Sequence, residues 1–314
     1  MYNVKLNSYI PEPRPANSDR IVAAHYYAAW KKGAAGIHDG FNDLAENFPD
    51  RTPLMGYYDE ENPEVCDWEI KWAVEHGINC FIYCWYRNFD NTGKTVTVND
   101  LRCGHGLHEA LFNAKYQKYM KFAIMFEASP RWGGTDEKDM LENLMPFWME
   151  NYFKRDNYLL IDNKPVLFVY QQERLQAECF KSAESQKKTF DSCREYAKKC
   201  GFDGMVFAVC STAGGNIDNE NAVSRGFDFR FGYISGYSAP CDYTMTRMTL
   251  LTVNAVFLKR ILRQTTKDLF QRHLAFQIRH RGFQRNGVTL DTNSENGVIF
   301  GICLPKSSKC CSGN

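Results

Sequence analysis

The chain has 314 residues, 44% of them hydrophobic and 24% charged, with a net charge of +1. That length can bury a sizeable core in one large α/β domain or two small ones, and the balanced charge excludes a molecule built as a whole to hold a polyanion. Twelve cysteines without framework spacing exclude a disulfide scaffold and fit a reducing compartment or buried thiols.

Residues 1–20 read as an extended lead-in, because Pro11, Pro13 and Pro15 oppose both helix and sheet. This stretch is polar, unlike a secretory leader, and no apolar run reaches membrane-spanning length. The expected location is cytoplasmic for the chain as given, or secreted or periplasmic if the N-terminus is incomplete.

From residue 21 to 248 a βα rhythm holds. Apolar runs at Ile21–Tyr27, Ile78–Tyr86, Lys121–Glu127, Pro165–Tyr170, Gly204–Cys210 and Phe227–Ile234 are continuous rather than alternating, as suits strands covered on both faces. Cys80 and Cys84 sit within the second run as small buried hydrophobes. Between the first two runs, Asn62 is an N-cap, Pro63 the first helical position and Gly77 the stop. Val65, Trp68, Trp72 and Ala73 supply the apolar spacing. A second helix runs from Ser185 to Gly201, and Asp162-Asn163-Lys164 turns a small hairpin into the fourth strand.

Six βα units are counted where a closed barrel has eight. The expected fold is therefore α/β: an incomplete (β/α)8 TIM-type barrel with an irregular basic tail over 249–314. That tail holds ten basic residues against three acidic ones, a balance of +7 that leaves −6 for the rest. Ala255–Leu269 reads as a basic amphipathic helix, and no Trp or Tyr follows Tyr243. The abrupt change favours a truncated or frame-shifted reading over a genuine basic appendage. An open barrel leaves two unpaired sheet edges, so poor stability in solution is expected unless the tail or a partner covers them.

Active sites of βα barrels stand at the C-terminal ends of the strands. Those ends present His25, Tyr26, Tyr27 and nearby Trp30, then Tyr83, Trp85 and Tyr86, then Glu127 with Trp132, then Tyr170, then Tyr233. Rings that stack on the apolar face of a sugar, among donors and acceptors for its hydroxyls, suit carbohydrate binding. Any one of these aromatics could equally cap the barrel core. Glu127 is a carboxylate at the end of an apolar strand: either an acid/base or sugar-orienting group, or half of an ion pair with Arg131 or Arg87. Cys103, His105 and His108 match no closed zinc pattern, and His105 to His108 reads as a helix start. No metal and no cofactor is expected, and no nucleotide fingerprint is present.

Ile21–Trp30 (IVAAHYYAAW), Thr52–Val65 (TPLMGYYDEENPEV), Trp68–Tyr86, Lys121–Glu127 (KFAIMFE) and Asn163–Tyr170 (NKPVLFVY) resemble, in that order, the family-99-like glycoside hydrolases and the related WbsX-type glycosyltransferase family. The resemblance covers about residues 20–240. It implies a (β/α)8 barrel and a retaining endo-mannosidase chemistry that runs through the sugar's own 2-hydroxyl, outside the usual enzyme-nucleophile scheme. It also implies a carboxylate pair near the last strand in an Asn-Glu-Trp segment. The one Asn-Glu pair here, Asn219-Glu220, falls in an expected loop, and no Glu precedes a Trp. The implied activity is hydrolysis of mannose-containing or similar polysaccharide when the barrel is intact. The alternatives are a glycosyltransferase of surface-polysaccharide synthesis and a non-catalytic or truncated sugar binder. The expected partner is an oligosaccharide or polysaccharide, not nucleic acid and not a membrane; oligomeric state is not legible.

Overall fold

The computed structural model describes residues 10–18, 20–31, 52–53, 55–87, 91–129, 134–170, 172, 175, 179–210, 217, 219–231 and 302–304. The chain divides into two units, Met1–Tyr233 with Ile299–Asn314, and Ile234–Val298. Every described residue lies in the first unit.

The strands are β1 (Ile21–Tyr26), β2 (Cys80–Arg87), β3 (Leu101–Arg102), β4 (Lys121–Glu127), β5 (Leu160–Ile161), β6 (Lys164–Tyr170), β7 (Val206–Cys210), β8 (Phe229–Phe231) and β9 (Ile302–Leu304). They form one sheet in the order β8-β7-β6-β4-β2-β1-β9, with β3 and β5 hung on β2 and β6. The six strands from β1 to β8 along this path are all parallel. They are the six apolar runs, each starting within two residues of its expected place.

The sheet curls. β6 and β8 are not neighbours, yet the Phe168 and Phe231 rings lie 5.2 Å apart on the concave side. His25 of β1, near the opposite end of the order, reaches Phe231 at 5.5 Å. Six parallel strands bent until their ends face one another make an incomplete TIM-type barrel.

Helices cover the convex side. In α1 (Pro63–Glu75) the Asn62 side chain accepts the Glu64 N–H at 2.9 Å, and Gly77 at φ +86° ends the element. Asp67 of α1 is buried and accepts the backbone N–H groups of Tyr116 and Lys115 at 2.7 and 3.2 Å, tying the helix to the chain that feeds β4. The second helix, α2, runs through the consecutive turns Glu137–Asp139, Met140–Leu144, Met145–Trp148 and Met149–Phe153. Two of these turns widen to i→i+5 bonding on either side of the segment that holds Pro146, which has no N–H to donate. Then follow α3 (Ala183–Lys199), capped by Ser182, and α4 (Asn219–Ser224). Asp162 and Asn163 both take positive φ, 48° and 56°, as a two-residue hairpin turn between β5 and β6 requires.

Arg194 of α3 fastens the far end of the sheet. Its guanidinium donates to Gly226 O at 2.6 Å, Asp228 Oδ2 at 3.0 Å and Asp191 Oδ1 at 2.8 Å. Asp228 in turn accepts the Phe207 N–H at 2.8 Å. Removing this fork by Arg194→Met is expected to lower unfolding free energy by about 1.5–3 kcal/mol, the range for charged hydrogen bonds. Arg194→Lys will recover little, because an ammonium cannot span the same acceptors. Urea unfolding checks both variants, and a lysine variant as stable as the parent contradicts the account.

At the other end β9 lies antiparallel on β1, pairing Ile21 with Leu304 and Ala23 with Ile302. The expectation of two bare edges is thus corrected at one of them: a strand of the basic tail covers β1. Among the described residues no strand continues the sheet beyond β8. The remainder of the tail, including the Ala255–Leu269 helix reading, lies outside the described residues.

Candidate functional site

Side chains along a strand alternate between faces, so each of these six strands sends one set to the helices and the other to the concave interior. The outward set is identified by its contacts. On β2, Trp85 meets Trp148 of α2 edge-on at 5.4 Å and donates its Nε1–H to Tyr152 Oη at 3.0 Å. Phe126 of β4 meets Trp148 at 5.4 Å, and Phe207 of β7 stacks on Phe190 of α3 at 4.0 Å. Tyr26 of β1 donates its hydroxyl to Glu69 of α1 at 2.6 Å. Tyr83 packs 4.6 Å from Tyr26 and is 1% exposed.

The complementary positions face inward. His25, Tyr86, Glu127 and Tyr170 are one residue removed from outward-facing Tyr26, Trp85, Phe126 and Val169 respectively, at the C-terminal ends of β1, β2, β4 and β6. Glu127 and Tyr170 are register neighbours. Tyr27 follows β1 and meets Tyr86 edge-on at 5.9 Å. His25, Tyr27, Tyr86 and Tyr170 are half-buried, whereas Glu127 is 5% exposed. Among the strands that line the interior, β4 alone carries an acidic side chain, and that side chain is Glu127. Its Oε1 accepts the Ser129 N–H at 3.0 Å. Burial pushes His25 down to about 4, so its ring is neutral at pH 7 and can offer one donor and one acceptor.

The candidate list therefore splits. His25, Tyr27, Tyr86, Tyr170 and Glu127 share the concave face. Tyr26, Tyr83 and Trp85 are corrected to the convex side, where helices take the surface that a ligand would need. Trp30 stands beyond β1, half-buried, with its ring 5.3 Å from Tyr58. Trp132 and Tyr233 lie outside the described residues, as does Arg131.

Two further expectations change. Arg87 does not pair with Glu127. It points outward, fully buried, and holds Asp139 of α2 through Nη1–Oδ1 at 3.1 Å and Nη2–Oδ2 at 2.6 Å. Asn219-Glu220 is not in a loop but opens α4, with Glu220 exposed. His105 to His108 do start a helical segment, Gly106–Ala110 with His105 at its N-cap, and His108 Nε2 lies 3.0 Å from Tyr152 Oη, inside the core network of Trp85. Burial pushes that imidazole down to about 4. Among the described residues no group of three or more His, Cys, Asp or Glu is placed to hold a metal.

Sequence reasoning missed two acids on the convex side, Glu60 buried and Glu69 half-buried. Glu60 is 9% exposed, and its Oε2 accepts the Trp30 N–H at 2.7 Å. Burial pushes its carboxyl up to about 8 and that of Glu69, bonded to Tyr26, up to about 7. A signal was available: Glu69 falls between Cys66, Ile70 and Ala73 on the apolar side of α1. Both acids belong to the layer between α1 and the sheet, away from Glu127. A cleft of about 730 Å³ opens at the opposite, N-terminal ends of β6 and β7, lined by Lys164, Arg194 and Asp228. That end of a βα barrel serves stability rather than chemistry.

The curled parallel sheet with helices on its convex side matches solved proteins in fold. A family-99 endo-α-mannosidase from Bacteroides thetaiotaomicron, in complex with Bis-tris propane, superimposes with a TM-score of 0.50 at 15% identity over 70% of this chain and 61% of that one. The likeness is one of fold: this chain is an incomplete TIM-type barrel similar to that of the mannosidase. A second structure of the B. thetaiotaomicron enzyme gives a TM-score of 0.49 at 14% identity, over 70% and 63% of the two chains. The chain thus spans about three fifths of the length of these family-99 proteins. No protein-family profile and no curated protein sequence matches it. Among the described residues no helix is long and apolar enough to cross a membrane.

Proposed function

We propose that the concave face of this family-99-like fold binds carbohydrate, and that the intact activity is hydrolysis of glycosidic bonds in mannose-containing or similar polysaccharide. The observation that carries the reading is the convergence of Tyr27, Tyr86, Tyr170, His25 and Glu127 on one face at the C-terminal strand ends. Half-buried phenol rings offer stacking surface with a polar tip, and a neutral imidazole and a carboxylate serve sugar hydroxyls as donor and acceptor. Glycosidases need two carboxyls flanking the scissile bond. The inward-facing strand positions supply Glu127; a second acid has to come from elsewhere in the protein. In this reading Glu127 orients a sugar hydroxyl or shares in proton transfer, and no metal or cofactor is required.

Calorimetric titration with manno-oligosaccharides tests the reading. Glu127→Gln is expected to weaken binding by about 10- to 100-fold, matching the roughly 1.5–3 kcal/mol of a hydrogen bond to a charged group. Unchanged affinity in Glu127→Gln and Tyr170→Ala together would remove the concave face from consideration.

A further inference from the structure

The last turn of α2 is held by a hydrogen-bond chain that sugar binding does not use. Trp85 of β2 donates its indole N–H to Tyr152 Oη at 3.0 Å, and the same oxygen lies 3.0 Å from His108 Nε2. An indole nitrogen can only donate, so the Tyr152 oxygen accepts from Trp85. Tyr152 is 0% exposed, and among the described residues its own hydrogen has one acceptor, the Nε2 lone pair. The chain therefore runs in one direction, from Trp85 to Tyr152 to His108, and sets the imidazole as neutral with its hydrogen on Nδ1. We propose that His108 and Tyr152 form an acid-sensitive latch between α2 and the sheet: the neutral imidazole completes the chain, and its protonation breaks the chain and frees the last turn of α2.

The backbone on both sides is shaped for this contact. His108 lies in Gly106–Ala110 and Tyr152 in Met149–Phe153, and both segments bond i→i+5. Such turns are uncommon and recur at functional positions. Gly106 packs so closely on the chain after β1 that a Cβ there would stand 2.4 Å from Ala28 Cβ, which holds the segment carrying His108 in place. With that side held, loss of the latch falls on α2. No counter-charge awaits an imidazolium. The rings of Phe112, Phe147 and Tyr152 pack on His108, and the titratable or charged groups facing it are Tyr152 from α2 and Arg155 from the chain after α2. The Arg155 guanidinium sits 3.4 Å over the Phe112 ring. Among the described residues β2 and β4 bring only Trp85 and Phe122 to the network, and Glu109, next to His108 in sequence, is exposed.

The direction with pH follows from the donor order. A proton on Nε2 turns an acceptor into a donor, so the Tyr152 oxygen then faces two donors and its own hydrogen loses its acceptor inside the core. Burial and the Arg155 charge act in the same sense, and burial, the larger, pushes the imidazole from an ordinary 6.5 down to about 4. A base lowered in the folded state stabilises the fold fully above its unfolded value, and that contribution is lost as pH falls through the folded value. The latch is therefore at full strength above pH 6.5, weakens below it, and is broken as pH passes about 4.

Hydrogen exchange of the Trp85 indole N–H and thermal unfolding, followed from about pH 7 to about pH 4 in parent and His108→Gln, test the latch. Glutamine offers Tyr152 a carbonyl in place of Nε2 and does not titrate in this range. Opening read from the indole, corrected for the intrinsic exchange rate, should rise about tenfold or more between about pH 7 and about pH 5 in the parent, and less than about twofold in the variant. The parent should also lose more Tm than the variant below pH 6.5; other acid-sensitive groups, His25 among them, act equally in both. Equal slopes in parent and variant overturn the proposal. Should the variant not fold, the ring-nitrogen NMR shifts of the parent decide: His108 must carry its hydrogen on Nδ1 at neutral pH and titrate well below 6.5. A hydrogen on Nε2, or an ordinary midpoint, is equally fatal. No sugar enters the experiment, so its outcome is independent of the function proposed above.

Discussion

Arg87→Met will cost the fold about 3–5 kcal/mol, the loss expected when one member of a buried ion pair is removed and the other stays. Arg87 and Asp139 are 0% and 1% exposed, so neither charge can turn to water. The pair is also a junction. Asp139 accepts the Gly93 N–H at 2.8 Å and the Asn143 side-chain amide at 2.9 Å. Gly134 O accepts from Arg87 Nη2 at 2.7 Å and from Thr92 Oγ1 at 3.1 Å. One ion pair therefore joins the chain after β2 and the chain after β4 to the first turn of α2, beside the rim where Glu127 stands. Asp139→Asn will be nearly as damaging, since it leaves a guanidinium in the interior without its counter-charge. Urea unfolding reads the loss, and a change below about 1 kcal/mol, the scale of a surface pair, would show that the pair is not the buried junction described.

The second large effect separates neighbours. Trp85→Ala will cost about 3–5 kcal/mol, as for other buried aromatic truncations, because it empties a space bounded by Phe126, Phe147, Trp148 and Tyr152. The affinity of the remaining folded molecules for manno-oligosaccharide should stay unchanged. Tyr86→Ala, one residue on, should do the reverse, with little loss of stability and about tenfold weaker binding. Paired unfolding and titration curves check both variants. If Trp85→Ala spares stability and abolishes binding, the facing of β2 described above is wrong.

The frame of this protein was legible because its signals are local. Asn62, Pro63 and Gly77 bracket α1 as their backbone chemistry demands, and six apolar runs announce strands covered on both faces. α2 was not legible: Pro146 lies in the middle of its sequence, and the turns around it depart from ordinary helical spacing. The site was half legible. Reading strand ends finds Tyr83, Trp85 and Tyr86 as a cluster, but residues next to one another on a strand cannot share a face. Arg87 shows the complementary difficulty. Sequence reading offered it, or Arg131, as an ion-pair partner for Glu127 in one of two alternatives, yet its partner lies 52 positions away on a helix the sequence did not disclose.

The strict alternation along β2 has a consequence for how this protein can change over generations. Tyr86 belongs to the concave face, while Trp85 and Arg87 are locked into the helix layer. A point substitution perturbs one face at a time. Loss or gain of a single codon within β2 exchanges the two faces for every residue beyond it, driving a guanidinium toward the interior and a tyrosine toward α2. Length changes should therefore be confined to the connections between elements, leaving the phase of β2 as one of the most tightly held properties of the gene.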